Sequence, residues 1–438
     1  LLPYACFGVA LAGLVYLILA GLIKAFGVNR VMKFFPPIVT GPIIIAIGLC
    51  LSATAINSCS TNWIVAVVAI LIIVICNIWG KGMIKIIPIL LGVVGACVLC
   101  IILTLATGQV SGDYYTIAGN SNFQLFSVAS IENIKNAAWI GLPFKYEDTV
   151  FNIFTSGNLN TSLLITAIIT IVPISLATIV EHIGDISAIS STVGENFIKD
   201  PGLHRTLMGD GLATTMASLF GAPANTTYGE NTGVLTLSKV YDPFVVRLAA
   251  VFAICFSISP KLAACISAIP TPVVGGISLV LYGMISAVGV RNVVENKIDF
   301  GKARNVIIAA IILVLSIGIQ YSAAQAIKIP VGTKEVQQNV EYYEVDGNKY
   351  YVEADGSVNI PADLMAKAGD SVTETVTATE PLVVISLSGL AVGSLVGIIL
   401  NAVLPGKDYV FESNQKAAQA KDSTITDEPV KTQKKKKK

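Results

Sequence analysis

The segment Gly221-Ala-Pro-Ala-Asn-Thr-Thr-Tyr-Gly-Glu-Asn-Thr-Gly233 decides how the chain folds. Pro223, Asn225 and the paired Thr226 and Thr227 precede Gly229, after which a helical pattern resumes. That order predicts an extended stretch leading into a helix that starts part-way through an apolar layer. Non-helical backbone is tolerated at membrane depth only where it is buried in protein or lines a cavity. Discontinuous helices offer free N–H groups at a half-helix N-terminus, a recurring substrate site in transporters. Glu230 would sit at such an end, where helix polarity favours negative charge.

The surrounding sequence fits an apolar layer. Of 438 residues, 54% are hydrophobic and 13% charged, about half the charged share of a soluble domain. A water-soluble enzyme of this length is thereby excluded. At about 20 residues per span, eleven candidate spans emerge, near 5–23, 34–55, 63–80, 86–107, 161–190, 207–222, 229–240, 244–266, 273–290, 306–321 and 381–404. Alternate connections carry Lys24, Arg30 and Lys33, then Lys81 and Lys85, Lys199 and Arg205, Lys239 and Arg247, and Arg291, Lys297, Lys302 and Arg304. The opposite short connections hold only Lys261. By the positive-inside rule the first set and the C-terminus are cytoplasmic. Eleven spans then leave residue 1 outside, so the sequence reads as missing an N-terminal part.

Residues 108–160 and 322–380 form long outer connections. The second includes Asp346-Gly347 between β-prone runs rich in Tyr and Val, which predicts a β-hairpin. Residues 405–438 read as a disordered basic tail. Cys97 and Cys100 lie in an apolar run without His or acidic partners and read as small hydrophobes. No nucleophile–base constellation and no metal-ligand set appears with only two histidines, so neither catalysis nor a metal is expected.

Ionisable groups inside spans are energetically unfavourable and point to function. Four carboxylates qualify: Glu181, Asp185, Asp210 and Glu230. Glu181 and Asp185, four apart, share a helix face and discourage each other's ionisation, which suits proton carriage. His182 adjoins Glu181 about 100° around the helix and reads first as a residue packed between helices. Asp210 reads as solvated near the cytoplasmic end, and His204 as a solvated loop residue.

The runs VEHIGD (180–185), DPGLHR (200–205), NTTYGENTG (225–233) and PTPVVGGISLVLYG (270–283) together resemble the uracil permeases of the nucleobase–ascorbate transporter (nucleobase:cation symporter) family. The likeness extends over most of 5–321 and returns in the last span; 330–378 looks unlike the family.

The resemblance implies an all-α polytopic membrane fold of fourteen spans in two inverted repeats of seven, divided into core and gate domains. About eleven spans are present, with Leu1 near the start of the fourth. On that scheme 1–23 closes the first-repeat core part, 24–107 are gate spans and 108–160 an extracellular loop. Core spans and the substrate site lie in 161–266, gate spans in 267–321, an extracellular insertion in 322–380 and the last gate span in 381–404. A short strand is implied around 223–228.

By the same resemblance Glu181 and Glu230 bind the pyrimidine, the backbone of Tyr228 and Gly229 lies near it, and Tyr282 approaches from the gate. Glu181, Asp185 and His182 would carry proton coupling. Asp185 stands where well-known uracil permeases have histidine, and Ser238-Lys239 replaces the family's Thr followed by a basic residue.

The function implied is uracil import with protons by alternating access, in the plasma membrane, with the proton as coupling ion and no cofactor. Expected partners are a nucleobase, the lipid bilayer and a second copy in a homodimer, but not nucleic acid. A xanthine or other purine permease is the nearest alternative. A non-transporting receptor or partner subunit is the alternative of a different class.

Overall fold

In a computed structural model of the chain, residues 1–155, 159–228, 231–232, 235, 238–323, 325–345, 348–351 and 372–406 are described. Among them, six helices are long and apolar enough to cross a membrane: Leu2–Phe26 (α1), Pro37–Ser60 (α2), Pro88–Thr107, the interrupted helix from Thr161, Thr271–Glu295 and Ala303–Gln320. Two shorter apolar helices, Trp63–Trp79 (α3) and Gly389–Val403, accompany them. Pro88–Thr107 is α4, and a short helix at Val128–Asn136 is α5. The helix from Thr161 is interrupted by a 3-10 turn at Val172–Ile174. Pro173, which has no N–H to give the i−4 carbonyl, lies in that turn. It separates α6 (Thr161–Ile171) from α7 (Ser175–Val193). Leu203–Leu219 is α8. Pro243–Ser257 (α9) and Pro260–Ser267 (α10) form one apolar pair bent by 96°, where Ser259 caps α10 ahead of Pro260. Thr271–Glu295, Ala303–Gln320 and Gly389–Val403 are α11, α12 and α13.

The α3 helix shows what solvent these helices require. Val65, Ala69 and Ile73 are buried on one stripe, while Ile64, Val67, Leu71, Ile75 and Ile78 are exposed on another. A helix apolar on both faces belongs in lipid. The chain is a multi-pass membrane protein.

Without water to drive apolar faces together, membrane helices associate where small residues let backbones approach. The α1–α8 crossing uses Gly13 and Gly211, and the α2–α11 crossing uses Gly41 and Gly289. Around these contacts one core joins Tyr16 and Ile23 of α1, Val39 and Ile43 of α2, Ile179 and Ile183 of α7, Leu207 of α8, and Ile308 and Ile312 of α12. A second joins α3, α4 and α11 through Val65, Ala69, Ala96, Cys100 and Val273.

Two small antiparallel sheets complete the fold. Gly108–Ser111 (β1), Tyr114–Ile117 (β2) and Gln124–Ser127 (β3) pair in chain order, and Leu125 of β3 joins the second core. Ala326–Val345 (β4) lies between Asn348–Tyr351 (β5) and Val372–Ser388 (β6). Val345 faces Asn348 across the turn; Asp346 and Gly347 of the anticipated hairpin lie outside the described residues. The last helix begins at Gly389 and not near 381, because the β-branched run Val383-Val384-Ile385 pairs with Val331, Pro330 and Ile329 of β4.

Candidate functional site

Three pieces of chain meet beside α1: the middle of α7, the middle of α8, and the stretch Ala222–Tyr228. That stretch has no helix and no described strand partner, so the strand expected around 223–228 is not formed there. Its sequence explains the loss of helix. Gly221 turns the chain at φ 90°, a conformation that other residues adopt only with strain. Pro223 lacks an N–H, and the Asn and Thr side chains compete for backbone partners.

Side chains hold the stretch in place of a backbone ladder. Thr214 of α8 donates to the Asn225 carbonyl oxygen at 3.1 Å. Thr226 donates to Glu181 Oε2 at 3.4 Å. Thr227 Oγ1 lies 2.6 Å from His182 Nδ1 and 3.4 Å from Asp210 Oδ2. His182 Nε2 meets Thr206 Oγ1 at 3.0 Å, and its Nδ1 lies 3.1 Å from Asp210 Oδ2. Below them Tyr16 of α1 donates to Thr178 Oγ1 at 2.7 Å, one helical turn before His182.

Glu181 is half-buried, while His182 and Asp185 are buried on α7. Tyr228 is 66% exposed at the end of the stretch. Tyr282 is half-buried on α11, where its carbonyl backs onto Gly48 of α2. Glu230 and Gly229 lie outside the described residues. The structure therefore brings Glu181 and His182 to the extended stretch and leaves Tyr282 on a neighbouring crossing.

Asp210 departs from the sequence reading. It is not a solvated helix-end residue, since its side chain is 11% exposed and faces His182. Position along α8 could not reveal this, because the partner comes from another helix. Thr206, Thr226 and Thr227 also escaped notice. For Thr226 and Thr227 the only signal was a pair of hydroxyls in a segment that could not be helical, and Thr206, inside α8, gave none.

A carboxylate can accept about four hydrogen bonds, and Thr226 supplies one of them to Glu181. The site thus combines an acid in an apolar helix with backbone N–H and C=O groups freed from helix pairing. Such an arrangement can bind a small, planar, polar molecule; among the described residues no group of His, Cys, Asp or Glu suits a metal ion.

Comparison with known proteins agrees. Residues 2–324 match the Xan_ur_permease family model, described as a permease family. A uracil permease of Bacillus subtilis strain 168 is 38% identical over 327 residues, covering 72% of this chain and 68% of its own length. A uracil permease of Bacillus caldolyticus is 32% identical over 424 residues, covering 94% and 78%, an alignment that runs through 330–378 as well. One from Escherichia coli K12 is 32% identical over 341 residues, covering 75% and 70%. From residue 2 to residue 324, through α7, the extended stretch and α11, the chain belongs to this permease family.

Proposed function

We propose that the protein imports uracil together with protons. The observation that carries this reading is Glu181, a carboxylate in an apolar helix, hydrogen-bonded by Thr226 of the non-helical stretch that runs into Glu230. Uracil presents ring N–H donors, which Glu181 and Glu230 accept, and carbonyl oxygens, which N–H groups near Tyr228 and Gly229 meet. Similarity to three uracil permeases at 32–38% identity supports that substrate.

Protonation of Glu181 couples the ion to the substrate, with Asp185 one turn away and His182 beside it. The proton serves in place of any cofactor. Tyr282 closes the pocket from a gate formed by 24–107, 267–321 and the helix Gly389–Val403, and the core in 161–266 moves against it by alternating access. Fourteen spans in inverted repeats of seven, a plasma-membrane location with the C-terminus in the cytoplasm, and a homodimer complete the proposal.

Uptake of labelled uracil tests it. Glu181→Gln and Glu230→Gln should each lower uptake by about ten- to a hundredfold, since hydrogen bonds to charged groups contribute about 1.5–3 kcal/mol. Excess xanthine should not compete. Wild-type, pH-dependent uptake in both variants would overturn the assignment.

A further inference from the structure

The His182 ring is 3% exposed and polar at two opposed edges, and each edge is occupied. Nε2 meets Thr206 Oγ1 at 3.0 Å, a hydroxyl that also reaches the Leu203 carbonyl oxygen at 3.0 Å. At the other edge Nδ1 faces Thr227 Oγ1 at 2.6 Å and Asp210 Oδ2 at 3.1 Å. Tyr16 packs edge-on against the ring, with centroids 6.5 Å apart. The ring is a rigid spacer between α8 and the extended stretch, a role that needs polar atoms on both sides of one flat group.

Its place in sequence gives the spacer a purpose. Glu181 and His182 are successive on a helix, about 100° apart, and Thr226 and Thr227 are successive on the non-helical stretch. The bonds Thr226–Glu181 and Thr227–His182 are two successive rungs between α7 and the stretch. With the Thr214 bond to the Asn225 carbonyl oxygen from α8, the two rungs fix its twist.

We infer that His182 is a positioning residue of the substrate site. Locked by Thr206 and Asp210, it sets the twist of residues 222–228 and so the direction in which the chain continues into Gly229 and Glu230. This rests on the uracil-permease reading for its effect on substrate, but not for its effect on the backbone.

The test uses the full chain with His182→Ala, His182→Asn and His182→Gln. An Asn amide reaches the place of Nδ1, and a Gln amide that of Nε2. In His182→Ala, amide hydrogen exchange in 222–228 should quicken and the KM for uracil should rise more than the maximal rate falls. His182→Asn, which keeps the Thr227 edge, should restore most of both, and His182→Gln should restore less. Thr227→Val, which leaves the helices untouched, should reproduce His182→Ala, whereas Thr227→Ser should behave as wild type. Unchanged exchange in His182→Ala and Thr227→Val, or rescue by Gln as complete as by Asn, would overturn the inference. If the wild-type protein takes up no uracil, the transport reading fails, and hydrogen exchange still decides the role of the ring.

Discussion

Gly13 and Gly211 face each other so closely that a Cβ on either would sit 2.7 Å from the carbonyl oxygen of the other. The contact brings α1 against α8 and sets Tyr16 beside His182. A side chain at Gly13 would also meet the Thr215 backbone nitrogen at 2.9 Å, and Thr215 itself donates to the Ala10 carbonyl oxygen at 3.2 Å. Gly13→Val should separate the helices and destabilise the protein by about 1–3 kcal/mol, as overpacking does. Thermal unfolding in detergent checks this, and an unchanged melting temperature would contradict the packing described.

Thr226 offers a milder probe of Glu181. Its hydrogen bond is long, at 3.4 Å, and sits near the lower end of the range for charged acceptors. Thr226→Val keeps the shape and removes the donor, which should reduce the initial rate of uracil uptake by about tenfold, corresponding to about 1.4 kcal/mol. Thr226→Ser should retain the wild-type rate. Equal rates in Ser and Val variants would show that this hydroxyl does not serve the carboxylate.

The β4–β6 ladder separates a transporter from a receptor. Glu335 pairs with Thr379, so replacing 336–378 with Asn-Gly leaves a register suited to a two-residue turn. Every rung from Ala326–Ser388 upward to Glu335–Thr379 that the register contains is kept. Uracil uptake should survive in a transporter. Loss of uptake with normal membrane insertion would mean that the distal sheet takes part in function.

Membrane class and most spans were legible because a bilayer imposes a length and a composition that no soluble core demands. The non-helical stretch after Gly221 was marked by Gly and Pro, whereas the bend at Ser259-Pro260 falls inside the single span expected at 244–266. Residues 381–388 were not legible, since a short apolar run rich in Val and Ile suits a strand or a helix equally. The strands of the 108–127 sheet are four residues each, too short for alternation to show. At the site, Glu181 announced itself as an acid in an apolar helix. The pairing of Asp210 with His182 did not, because it joins residues 28 positions apart that only the crossing of two helices brings together.

Ser388 is both the last residue of β6, paired with Ala326, and the cap of α13, accepting from the Ala391 N–H at 3.3 Å. Sheet and helix are thus spliced without slack. At about 3.4 Å per residue, the 17 residues of β6 form an arm of roughly 55 Å. The 15 residues of α13, at about 1.5 Å each, form one of roughly 22 Å. Gly389 and Gly393, seated against Ser316 of α12, pin the point at which the long strand becomes the short helix.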